Sequence, residues 1–96
     1  VPMSGSAGIW GPSCISCAQL AAHEINAGQG IGGREVELLL LDSDDGVVDD
    51  AVDTLTDLVE DGTVGAVVGM HVSSVRQRLN AALKGRVPYV YTPLYE

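Results

Sequence analysis

Residues 36–69, VELLLLDSDDGVVDDAVDTLTDLVEDGTVGAVVG, decide the fold. The run Val36 to Leu41 is apolar at every position but Glu37, and its length suits a strand buried on both faces of a parallel sheet. A polar loop, Asp42 to Gly46, follows it. Apolar residues then recur at Val48, Ala51, Val52, Leu55, Leu58 and Val59, the spacing of an amphipathic helix, and Gly62 supplies its stop. Val64 to Gly69 is a second short apolar run. Strand, helix and strand with short connections make a βαβ unit.

The same alternation continues in both directions. Upstream, Gly11-Pro12-Ser13 opens a helix with Cys14, Cys17, Ala18, Ala21 and Ile25 on one stripe; Ser13 can cap it and Gly28 can end it. Residues 29–33 are turn chemistry. Downstream, Ser73 or Ser74 can cap a third helix with Val75, Leu79, Ala82 and Leu83 facing inward. Val87 to Tyr91 reads as the last strand, with Pro88 near its start, where strands tolerate it. The expected class is α/β, a three-layer Rossmann-like parallel sheet covered on both faces. It is incomplete, because Val1-Pro2-Met3 alone stands for a first strand and no helix follows the last one. Residues 1–96 therefore read as an N-terminal fragment of a longer protein.

Composition narrows the function. The chain has 96 residues, 46 % hydrophobic and 19 % charged, which excludes disorder as the default. Aromatics are 4 % and Phe is absent, so Val, Leu, Ile and Ala must build the core. A net charge of −8 makes a nucleic-acid backbone an unsuitable partner. No apolar run approaches the roughly 18 residues of a membrane span, and no signal-peptide pattern opens the chain. Nine of the 13 acids lie between Asp42 and Asp61, where they read as a solvated helix face.

Several motifs carry less chemistry than they suggest. Gly28-Gln29-Gly30-Ile31-Gly32-Gly33 fits G-x-G-x-x-G, but it follows a helix and precedes a strand, the reverse of a dinucleotide site. Asp42 to Gly46 resembles the start of a calcium loop, with the glycine one place early and an Asp where the bidentate Glu belongs. Cys14 and Cys17 are spaced as in a thioredoxin site, yet Trp10 and Pro12 lie upstream of the pair. Two packed core residues is the first reading, with a disulfide or redox chemistry behind it. Neither a metal nor a cofactor is expected, and His23 reads as a partly exposed structural histidine.

Ligands of open α/β sheets gather beyond the carboxyl ends of strands. Three segments converge there: Ser4 to Gly11, Met70 to Ser74 and Tyr91 to Glu96. His71 ends a strand, Ser73 and Ser74 add hydroxyls beside helix N–H groups, and Trp10, Tyr91 and Tyr95 add apolar faces with polar tips.

These segments resemble the type I periplasmic solute-binding proteins of ABC transporters, in particular the Leu/Ile/Val-, amide- and urea-binding group. The matching residues are Pro2-Met3-Ser4-Gly5 with Gly8-Ile9-Trp10-Gly11, Ala22-His23-Glu24-Ile25-Asn26-Ala27-Gly28, Gly30-Ile31-Gly32-Gly33-Arg34 and Asp42. Gly65-Ala66-Val67-Val68-Gly69, Ser73-Ser74 and Tyr91-Thr92-Pro93-Leu94-Tyr95-Glu96 complete the match. The resemblance implies two lobes closing on a small polar solute, with this chain a partial first lobe. It implies that Ser73 and Ser74 receive the ligand's carboxylate or amide, that Trp10 borders the pocket, and that Tyr91 and Thr92 complete this side. No catalysis, a membrane permease as partner, and a periplasmic or extracellular location, lipid-anchored or secreted, follow from it. The Cys-x-x-Cys lies outside the resemblance, and His71 stands where the amide binders tend to carry an aromatic.

Two other classes fit the layout less well. A receiver-like signalling domain would need an acidic pair after its first strand, where Ser4-Gly5 stands, and a Lys-Pro after its last. A thiol oxidoreductase would use Cys14 and Cys17. An isolated fragment also has an open sheet edge at which a second copy could pair.

Overall fold

A computed structural model describes residues 1–93. A 3-10 turn, Gly8–Trp10, runs directly into α1 (Gly11–Ala27); α2 (Val48–Glu60), β1 (Val67–Gly69), α3 (Ser73–Leu83) and β2 (Tyr89–Tyr91) follow. The strands β1 and β2 pair in parallel, Val67 opposite Tyr89, Val68 opposite Val90 and Gly69 opposite Tyr91. Bonds from Val67 N to Pro88 O and from Thr92 N to Gly69 O continue the pairing at both ends.

The core lies between this sheet and the two helices on one of its faces. Val48, Leu55 and Val59 of α2 meet Val75, Leu79 and Leu83 of α3, and Leu41, Val52, Val64, Val67, Val87 and Tyr89 pack around them. Each such side chain taken out of water contributes about 1.5–3 kcal/mol. Polar ties at the rim, among the described residues, include Ser74 Oγ to Asp45 Oδ1 at 3.1 Å, Arg78 to Asp49, and Arg86 Nη1 to Glu60 at 3.1 Å. Part of the acidic block therefore meets Ser74 and Arg78 of α3 and Arg86 just beyond it instead of facing water alone.

The three-layer sheet expected from the alternation is observed only as a two-stranded α/β unit. Val68 and Val90 point away from the core and are 66 % and 54 % exposed, so that face of the sheet is uncovered. Val36 to Leu41 forms no strand ladder, and Leu38, Leu39 and Leu40 are exposed rather than buried on both faces. A parallel strand needs a neighbour, and among the described residues this run meets backbone of Val1 at its end and the Asn26 side chain at Val36. Val1 N donates to Leu41 O at 3.2 Å and Ser43 N donates to Val1 O at 2.9 Å, the pattern of one parallel pair centred on Val1 and Asp42.

Helix ends also depart from the sequence expectation. Trp10 occupies the N-cap position of α1 in helical conformation, because the 3-10 turn leads straight in; Ser13 sits inside the helix. Val72, in extended conformation, precedes α3, so Ser73 is its first helical residue and no side chain caps it. At the far end of α1, Gly30 N bonds Ile25 O at 2.8 Å and Gln29 N bonds Asn26 O at 3.2 Å, a Schellman closure. Its left-handed residue is Gln29 (φ 81°), one place beyond Gly28.

The stripe assigned to α1 is not buried. Gly11 is its one buried residue; Cys14 and Ala18 are half-buried, and Cys17, Ala21 and Ile25 are exposed. Ile15, Leu20 and Ala22 lie off that stripe, so the apolar residues wrap round the helix and select no face. Cys14 and Cys17 are therefore not a packed core pair, and both are free thiols.

Candidate functional site

Two loops build the site, one after the Val1–Met3 segment and one at the carboxyl end of β1. The first is held by Asp42. Its carboxylate accepts Met3 N at 2.8 Å, Ser4 Oγ at 2.6 Å and Asp44 N at 3.1 Å, joining the exit of the Val1–Met3 segment to the loop after Leu41. The Ser4 hydroxyl, followed by the Met3 N–H, holds the Asp42 carboxyl below its ordinary range. The chain then turns through Gly5 (φ 67°), where an added Cβ would lie 2.1 Å from the Asp44 carboxylate. Gly11 closes the loop against Pro2 O, at 2.3 Å from the position of a Cβ. Asp42 and Gly11 thus fix both ends of the segment that carries Trp10.

The second loop joins β1 to α3. His71 is 3 % exposed, shares a hydrogen bond with the Tyr89 hydroxyl through Nε2, stacks on the Tyr89 ring and tilts against Tyr91. Gly69 makes room for it, because a Cβ there would come within 2.2 Å of His71 Cε1. Tyr91 Oη donates to His71 O at 2.7 Å, and Thr92 donates to Gly69 O from its amide at 3.0 Å and its hydroxyl at 3.3 Å. The Arg76 guanidinium lies 5.7 Å from the Tyr91 ring centre, a cation–π distance.

Between the loops is a cavity of about 270 Å³ lined by Pro2, Ala7, Trp10, Met70, His71 and Val72. Its walls are mostly apolar with few polar groups, the usual make-up of a small-molecule pocket. Trp10 is 60 % exposed at its lip.

The predicted site residues divide between two places. Trp10 and His71 come together on the cavity. Among the described residues the lining does not include Ser73, Ser74, Tyr91 or Thr92. Ser73 is half-buried at the start of α3, Ser74 is turned to Asp45, Tyr91 binds the His71 carbonyl and Thr92 that of Gly69 at the end of β1. Tyr95 lies outside the described residues. Sequence reasoning missed the clamp at Asp42 and the pairing of His71 with Tyr89. The clamp left a signal, an Asp-x-Asp turn after an apolar run, whereas the second contact joins residues 18 positions apart and left none.

The arrangement offers a small solute an indole face and an imidazole within a largely apolar wall, next to the start of α3. Across residues 1–96 the sequence matches the model of the periplasmic binding protein family. The chain belongs to the periplasmic binding protein family. Membership gives this binding-protein chain a solute-binding role, a transporter as general partner and a periplasmic or extracellular location. Comparison with curated proteins and with solved structures returns no match.

Proposed function

We propose that this chain supplies the first-lobe half of the solute site of an ABC-transporter receptor that captures a small amino acid, amide or urea-like solute between two lobes. Residues 1–96 are part of that first lobe in this reading. The observation that carries it is the cavity between the Trp10 loop and the β1–α3 loop, beside the N-terminus of α3. Trp10 covers one side of the solute. Ser73, Ser74 and the free amides around them receive its carboxylate or amide oxygen, the electrostatics of a helix N-terminus favouring that group. Tyr91 and Thr92 act through the backbone they hold, and His71 supplies a polar atom within an apolar wall. Tyr95 is a further candidate from the sequence. The protein carries out no reaction; affinity comes from closure over the solute, and a membrane permease then receives it.

Calorimetry of the full-length protein against amino acids, short amides and urea tests the reading. Heat with one of these classes, reduced by Trp10→Ala and by Ser73→Ala, is the expected result. No heat with any of them, alongside a turnover activity, would overturn it.

A further inference from the structure

Among the described residues that line the cavity, Trp10 and His71 are the two with side-chain nitrogens. Trp10 stands exposed at the lip, whereas His71 is buried in the wall. Two residues of β2 hold His71. Tyr89 and Tyr91 are two positions apart, so they share one face of the strand. The Tyr89 hydroxyl meets the imidazole at Nε2, and the Tyr91 hydroxyl donates to the His71 carbonyl at 2.7 Å. The Tyr89 ring lies at 29° to the imidazole, with the ring centres 6.0 Å apart. Replacing both members of a buried polar pair by apolar groups of the same shape is often neutral or stabilising. Packing alone therefore does not require the Tyr89 hydroxyl.

We propose that Tyr89 is a positioning residue for solute recognition, its hydroxyl fixing the ring plane and the tautomer of His71 in the cavity wall. This role rests on the solute-site reading of the same cavity. A phenol is a stronger acid than the N–H of a neutral imidazole, so the hydroxyl donates and Nε2 accepts. The ring proton then sits on Nδ1, because the bond made by one ring nitrogen sets the state of the other. Without the hydroxyl both tautomers become available, and stacking alone holds the ring. Part of the binding free energy would then go to ordering that wall.

Tyr89→Phe keeps the aromatic ring and removes the hydroxyl, and two measurements on the full-length protein use it. At about pH 8, above the ordinary histidine range, the imidazole nitrogen-15 shifts of His71 are assigned through the backbone. They should show one tautomer protonated at Nδ1 in the wild type and move toward a mixture in Tyr89→Phe. Calorimetry against amino acids, short amides and urea should show about two- to tenfold weaker binding of the class that the wild type takes, the effect of one net hydrogen bond. The wild-type spectrum needs no variant to fold, and circular dichroism checks that Tyr89→Phe keeps its helices. A wild-type His71 in mixed tautomers or protonated at Nε2, or a spectrum unchanged in Tyr89→Phe, would overturn the proposal. Equal affinity of wild type and variant for a solute that both bind would overturn it too. A wild type that gives no heat with any class would instead overturn the solute reading, and this role with it.

Discussion

Replacing Asp42 by Ala should loosen the loop that carries Trp10 as well as destabilise the chain. The carboxylate accepts three hydrogen bonds, two of them from the segment Met3-Ser4 that enters the loop. An intramolecular hydrogen bond is worth about 0.5–1.5 kcal/mol net, more when an ion accepts it. Partial exposure and non-additivity reduce the sum, so the expected loss is about 1–3 kcal/mol. With a urea slope of about 1–2 kcal/mol/M, the midpoint should fall by about 0.5–3 M. Because Trp10 is the only tryptophan, its emission and acrylamide quenching read the loop directly, while far-UV circular dichroism reads the helices. Quenching should rise in Asp42→Ala under native conditions, before any helix is lost. Asp42→Asn should fall between, keeping one acceptor oxygen but presenting an NH₂ group to Ser4. The pH dependence has a fixed sign. The folded pKa of Asp42 lies below its ordinary 3.8, so its stabilisation is complete above that value and is lost as pH falls through the lower folded pKa. The difference in midpoint between wild type and Asp42→Ala should therefore shrink on acidification below 3.8. Unchanged quenching in Asp42→Ala, or a difference that grows with acid, would refute the clamp.

Three further outcomes rest on single positions. Gln29→Gly should raise the urea midpoint, worth about 1 kcal/mol, because it relieves a side chain held at φ 81° in the closing turn of α1. Leu79→Ala removes a side chain 5 % exposed between α2 and α3 and should cost about 2–5 kcal/mol; loss of the cooperative transition is the readout. Gly69→Ala places a methyl 2.2 Å from the His71 ring, so the ring must move. In the full-length protein, calorimetry should then show weaker solute binding than for wild type.

The parts legible in the sequence are those in which one face of an element was chosen by the spacing itself. In α2 the acids fall between the apolar positions, and Val48, Leu55 and Val59 are buried as that pattern requires. Val75, Leu79 and Leu83 of α3 recur at one-turn intervals and are buried too. The apolar residues of α1 surround the helix, so its packed side had to come from tertiary contacts that the pattern did not encode. The run from Val36 to Leu41 shows the converse: apolar residues allow a buried strand but do not create its neighbours. Trp10 and His71, singled out by chain position, both line the cavity. Ser74, Tyr91 and Thr92 occupy that same neighbourhood but turn to Asp45, His71 and Gly69. Side-chain direction there depends on partners distant in sequence.

Those partners bear on how the cavity would work. Tyr91 and Thr92 bind carbonyls of His71 and Gly69, while Asp42 binds the amide of Met3 and the hydroxyl of Ser4. Neither set uses a cavity-facing side chain, so both loops are anchored from behind and their inner surfaces stay available. A pocket wall fixed in this way spends little of the binding free energy on ordering itself. In the two-lobe reading, the conformational change that accompanies capture would then lie in the approach of the other lobe and not in the β1–α3 loop. Trp10 is the exception. It stands 60 % exposed at the lip, on a 3-10 turn closed by bonds from Gly8 N to Gly5 O and from Trp10 N to Ala7 O. The indole is thus the element on this side free to adjust to the solute, and a variant that loosens its anchor should weaken solute binding without moving His71.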